Sequence, residues 1–329
     1  MKSIGLVIAG LGLTLAFACL AAEPAPLVLE AKIPLGKVSG RIDHFAVDLA
    51  GQRLFLAELG NNSVGVIDVK TQKLIRTITG FKEPQGVGYV PSTDTLYVAN
   101  AGDGSVQLFQ GADLSPSGRI ELGTDADNIR VDTQANRVFI GYGDGALAVI
   151  DPRSRAKVAD IPLKGHPEGF RQDRATGRIF VNVPDAGHIA VIDVASSKQI
   201  AAWPLRDAQA NFPMAFDDQA RQVIVAFRSL PKLLVYQAED GVVAAKLGIC
   251  GDSDDVFVDS KRHRLYVSCG EGFLDVLEAG QGSYERIARI PTASGARTSF
   301  FSPEIDRLYV AARATWTEPA MVWVFRPQP

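Results

Sequence analysis

Six polar residues recur at one offset in this chain. Asp43, Gln85, Asp127, Glu168, Asp254 and Arg297 each stand ten residues ahead of a short apolar segment, with Phe212 at the seventh such position. The residues just after them include His44, Asn128 and Asp255, and two residues before them lie Arg41, Glu83, Asp125, His166 and Asp252. Side chains of these types could do three kinds of chemistry. Carboxylate oxygens suit a divalent cation such as calcium, magnesium or manganese, and a histidine among them extends the choice to zinc or iron. Carboxylates, amides and arginines could equally hydrogen-bond a small polar molecule or a peptide. His44 or His166 could act as a general base. A plain structural reading stands beside each of these. Arg41, Arg130, Arg297 and Arg313 could balance the acids around a water-filled opening, and each histidine could be a hydrogen-bonded loop residue. Crowded carboxylates raise one another's proton affinity unless a cation or an arginine neutralises them.

The elements that must position these residues follow from a repeat. Short apolar strands begin at Arg53, Thr95, Arg137, Arg178, Gln222, Arg264 and Arg307, at spacings of 42, 42, 41, 44, 42 and 43 residues. Self-similarity at this period marks an array of small sheets. Each copy reads as four strands, because β-branched and aromatic runs alternate with clusters of Gly, Asn, Asp and Pro. In the first copy these are His44–Asp48, the strand from Arg53, Val64–Val69 and Leu74–Ile78. Beyond the leader, no stretch shows useful helical periodicity. Asp48, Asp132, Asp173, Asp217 and Asp259 each precede a strand by five residues. They read as turn residues that hydrogen-bond their own backbone. Gly141-Tyr142-Gly143-Asp144-Gly145 reads as a hairpin turn, since it joins two strands and precedes no helix.

A four-stranded sheet cannot bury both faces alone, so neighbouring copies must stack. Radial stacking gives an all-β, seven-bladed β-propeller of four-stranded blades. The seventh copy stops after its third strand, Met321–Phe325, while a spare strand, Leu27–Ile33, precedes the first. That N-terminal strand is expected to complete the last blade and close the ring. Equivalent positions then converge on one axis. The polar ring becomes a channel mouth, joined by the ends of the second strands: Glu58, Asn100, Tyr142, Asn182, Arg228 and Arg313. The long blade-seven connection from Ala311 to Ala320, with Arg313, Trp316 and Glu318, reads either as a lid over the mouth or as a surface insertion.

Leu96-Tyr97-Val98-Ala99-Asn100 and its six cousins resemble the YVTN-repeat, YncE-like β-propellers of bacteria, over essentially the whole chain from about residue 27. The resemblance implies a propeller that is exported. It implies little about function, because a shared fold hosts many binding roles.

Residues 1–22 themselves read as a signal peptide. Lys2 is the only charge, an apolar run from Ile4 to Ala22 follows, and small residues offer cleavage after Ala22. A membrane anchor or a lipoprotein attached at Cys19 is the lesser alternative. Residues 23–329 then form a single propeller domain in a periplasmic or secreted protein, with no membrane span after cleavage. Cys250 and Cys269 remain, and in an oxidising compartment they are candidates for a disulfide. Two free thiols or a soft-metal pair stay open at this point.

Composition narrows the partners. The 329 residues carry 34 basic and 37 acidic side chains, a formal net charge of −3. Nothing in this balance supplies the basic surface that duplex nucleic acid requires. Haem, phosphate-loop and nucleophile-elbow motifs are absent. The expectation is a binding propeller that takes a small polar ligand, a peptide or a divalent cation through Asp43, His44, Glu58, Gln85, Asn100, Asp127, Asn128, Arg130, His166, Glu168, Asp254, Asp255, Arg297 and Arg313. The alternative is a metal-dependent, lactonase-like hydrolase or a lyase at the same face. A protein partner is a third class.

Overall fold

Why the apolar segments become buried strands is visible in their alternation. In each, the third residue faces the following blade, while the second and fourth face the preceding one. Those third residues are Phe55, Tyr97, Phe139, Phe180, Ile224, Tyr266 and Tyr309, and all are sealed from solvent. Phe55 packs with Val87, Leu96 and Val98 of the second blade. Phe139 packs with Phe170, Ile179 and Val181 of the fourth. Tyr309 carries the pattern round to Leu54 and Leu56 of the first. The result is seven inter-blade cores, one per boundary.

The computed structural model describes residues 25–329 apart from 207, 281 and 282. The signal peptide expected over residues 1–22, with Cys19, lies outside the described residues. Within them, 28 strands form seven four-stranded antiparallel sheets. Six sheets are sequential. The seventh joins Leu27–Pro34 to Met321–Pro327, Arg307–Ala312 and Ser299–Ser302. Leu27 pairs with Pro327 and Pro34 with Met321, so the N-terminal strand closes the ring as its outer strand. No helix among the described residues is long and apolar enough to cross a membrane.

The turn aspartates do what their position suggests. Asp48 accepts the Gly51 amide at 2.8 Å and Arg53 Nε at 2.9 Å. Asp132 accepts the Gln134 and Ala135 amides, both at 3.0 Å. Asp217 does the same for Gln219 and Ala220 at 2.9 Å. These carboxylates close the hairpins between first and second strands, at the end away from the mouth.

Cys250 and Cys269 are joined by a disulfide with Cα atoms 5.8 Å apart. It ties the loop entering blade six to the end of that blade's second strand, within an apolar cluster.

Candidate functional site

Backbone irregularity puts the polar ring on the axis. The residue two before the ring position adopts a left-handed conformation at Glu83, Asp125, Ala210, Asp252 and Gly295, with φ between 43° and 78°. Each such residue turns the incoming loop sharply into its innermost strand. The pairing register then slips between Pro84 and Val87, Ala126 and Ile129, Asn211 and Met214, and Ser253 and Asp255. A bulge of this kind re-aims side chains that regular pleating would send to alternate faces. So Asp127 with Asn128, and Asp254 with Asp255, reach one cavity as adjacent residues. Gly86 and Gly169 make room where blades crowd the axis. A β-carbon at Gly86 would collide with the Asp127 carbonyl oxygen, and one at Gly169 would lie 2.5 Å from that of Phe212.

The cavity holds about 210 Å³. At its centre, carboxylates and imidazoles alternate. His44 Nε2 lies 3.7 Å from Asp43 and 3.6 Å from Asp127. His166 Nε2 lies 3.7 Å from the other Asp127 oxygen, and its Nδ1 lies 3.6 Å from Asp125 and 2.7 Å from the Gly143 carbonyl. Arg41 pairs with Asp43 at 2.5 Å. Asp254 is held by Arg228 and by Arg297, the latter at 2.9 Å. Arg228 also lies over the Phe212 ring, 3.9 Å from its centroid, so the one apolar residue in the ring seats a guanidinium.

The protonation states follow from these contacts. Burial pulls the His44 imidazole down, but Asp43 and Asp127 outweigh it and raise it to about 9. His166 likewise reaches about 9, with burial opposed by Asp127, the Gly143 carbonyl and Asp125. Burial pushes Asp127 up, yet the two imidazoles bring it well below the usual carboxylate range. Glu168 is raised to about 8 by burial and by Asp127. Near neutral pH the two imidazoles therefore carry protons, Asp127 is ionised, and Glu168 is mostly neutral. A side chain already protonated donates and does not abstract, so in this state both imidazoles act as hydrogen-bond donors.

The candidate residues divide. Asp43, His44, Gln85, Asp127, Asn128, Arg130, His166, Glu168, Asp254 and Asp255 all line the cavity, together with Arg41, Asp125, Arg171 and Arg228. Arg297 stands behind them, clamping Asp252 at 2.8 Å as well as Asp254. Arg313 packs over Gly295, 3.7 Å from the point a β-carbon would occupy there, and lies outside the lining. Glu58 and Asn100 do not reach the channel. Both are fully buried inside their own blades, where Glu58 accepts from Ser63 and Asn100 donates to Ser105 at 3.2 Å and accepts the Lys82 amide at 3.1 Å. Regular pleating at the end of the second strand turns them into the blade. Trp316 is fully exposed and lies outside the cavity lining, so the blade-seven connection is an extended surface loop and not a closed lid.

Arg171 is the residue that the offset of ten overlooked. It occupies the same place as Arg130, seven residues ahead of the second strand in the next blade. The equivalent residues elsewhere are Ala46, Gly88, Ala215, Phe257 and Phe300. Counting at that second offset would have found it.

Among the described residues, no three His, Cys, Asp or Glu side chains are arranged to hold a metal ion. The carboxylates face imidazoles and guanidiniums instead.

Fold and cavity together define the class: a seven-bladed β-propeller with an ionic cavity at the mouth of its central channel. Neither a family model nor a curated protein sequence matches the chain. Solved structures do. Hydrazine synthase from Kuenenia stuttgartiensis is similar over 85% of this chain and 94% of that one, at 18% identity and a TM-score of 0.76. A chain of a mitotic checkpoint complex is similar over 97% of this chain and 98% of its own, at 11% identity and a TM-score of 0.77. At these identities the likeness is one of fold alone.

Proposed function

We propose that this protein binds a small polar molecule at the mouth of the propeller channel, as an exported binding protein related to the YncE-like repeat propellers. One observation carries the reading: loops of separate blades bring His44, Asp127, His166, Glu168 and Asp254 into a single cavity. A cavity of about 210 Å³ at the channel mouth suits a small molecule better than a peptide segment. The cation and the metal-dependent hydrolase or lyase draw no support from the geometry, since imidazole and guanidinium already occupy the carboxylates. Export is supported by the apolar leader and by the disulfide, which suits an oxidising compartment.

The test is retention. Protein purified from its exporting host is denatured, and the released small molecules are compared with those from Asp127→Asn/Asp254→Asn. A polar compound carried by the wild type and lost from a variant of unchanged circular dichroism supports the proposal. Equal retention by both proteins refutes it.

A further inference from the structure

At the floor of the mouth lie two guanidiniums that form no ion pair. Arg130 and Arg171 project from the innermost strands of adjacent blades, Ala126–Asp132 and Phe170–Asp173, and both line the cavity. Neither has a carboxylate within ion-pair distance among the described residues, whereas Arg41, Arg228 and Arg297 all do. Their hydrogen bonds are few. Arg130 donates to the Ile129 carbonyl at 2.8 Å and to Asn128 at 3.1 Å, and Arg171 donates to the Phe170 carbonyl at 2.9 Å. A guanidinium has five N–H donors in a planar fork that matches an oxyanion, so most of this pair's capacity is unspent. Asp255 attracts both guanidiniums and Asp127 attracts Arg130, but neither carboxylate comes within ion-pair distance, and Asp255 is engaged by the Ser299 amide at 2.7 Å. The two like charges, half-buried side by side, repel each other.

A second observation lies above them. Asp43 and Asp127 are almost completely buried, and one oxygen of each, Asp43 Oδ2 and Asp127 Oδ1, accepts no hydrogen bond. Asp43 Oδ2 faces Arg41 at 2.5 Å and Asp127 Oδ1 faces His44 at 3.6 Å, while both residues line the cavity. The cavity therefore offers unspent donors at its floor and a carboxylate-bearing wall above them.

Resting on the reading of the mouth as a small-molecule site, we propose that its ligand is a small carboxylate bearing hydroxyl or amino groups, with the carboxylate held between Arg130 and Arg171 and the donor groups turned to Asp43 and Asp127. A single negative charge suits the floor. A dianion would add repulsion from Asp127 and Asp254 above it.

Three probes separate the parts: glycerate carries both features, acetate only the anion, glycerol only the donors. Titration calorimetry is run on the wild type, on Arg130→Gln/Arg171→Gln and on Asp127→Asn. Wild type should bind glycerate saturably and more tightly than acetate or glycerol. The double arginine variant should weaken glycerate and acetate by about tenfold or more while leaving glycerol unchanged. Without ligand, that variant should melt no lower than the wild type, because it sheds two mutually repelling charges that form no ion pair. A lower melting point would mark the arginines as structural cations and overturn the proposal. Glycerate bound equally by wild type and arginine variant would also overturn it, and if glycerol binding then still depended on Asp127, the mouth would remain a polar binding site. Failure of all three probes to bind would count against both readings.

Discussion

Asp127 is the hinge of the electrostatics, because it faces His44 through one oxygen and His166 through the other. Replacing it by Asn should return both imidazoles towards their ordinary 6.5 from about 9, a fall readable by NMR titration of the ring protons. Unchanged imidazoles would mean that Asp43 and Asp125 alone keep them charged. The same residues set a pH dependence for the whole fold. Between 6.5 and about 9 the folded protein holds imidazole protons that the unfolded chain has released. That stabilisation is complete below pH 6.5 and is lost as pH rises through 9. Glu168, raised to about 8, and Asp255, raised to about 7, work in the same direction, since their unfolded carboxyls ionise first. Asp127, held low, contributes stability above its ordinary 3.8 and loses it only in acid. The melting temperature should therefore peak at about pH 4–5, where Asp127 is ionised and Glu168 and Asp255 have only begun to lose their contribution, and should decline from there through pH 9 as the imidazoles follow. A profile flat from pH 6 to pH 9 would contradict the charged imidazoles.

At the level of the element, each second strand drives one aromatic or aliphatic side chain into the next blade. Phe139→Ala should cost about 3–5 kcal/mol, as large-to-small changes in tight cores do, measured by denaturant unfolding. A cost under about 1 kcal/mol would mean that the boundary between blades three and four is loosely packed. The disulfide between Cys250 and Cys269 spans 19 residues, and paired replacement by Ser should cost about 3 kcal/mol on a chain-entropy basis. Alkylation with and without reductant checks that the bond forms: two thiols should label only after reduction. The repeat and the inner aromatic positions were legible because burial imposes a period of two along a strand. The bulges were not legible, since a register slip leaves no compositional mark. That is why adjacent residues such as Asp127 and Asn128 share a cavity, while Glu58 and Asn100, at the ends of regular strands, turn inward.

For the molecule as a whole, closure through Leu27–Pro34 makes the two termini one element. Arg264 adds a clasp from blade six, donating to the Gln328 carbonyl at 2.6 Å. Deleting residues 23–36 removes the outer strand of blade seven, and with it Ile33 and Leu35 from the core beneath. Scanning calorimetry of that truncation should show a lower melting temperature and a less cooperative transition. A full wild-type melting temperature would contradict closure by this strand.

By itself the sequence determined the architecture: seven copies of one hydrophobic pattern admit few ways to bury their faces, and the pairing of Leu27–Pro34 with Met321–Pro327 closes the ring they form. It also determined that acids and histidines meet at the axis, because equal offsets in a ring converge. Only the tertiary structure decided which of them share a cavity, which guanidiniums already have partners, and which protons are held. Those depend on distances of a few ångströms between residues far apart in the chain, such as His44 and Asp127 or Arg228 and Asp254, set by turns and bulges whose geometry no local pattern encodes.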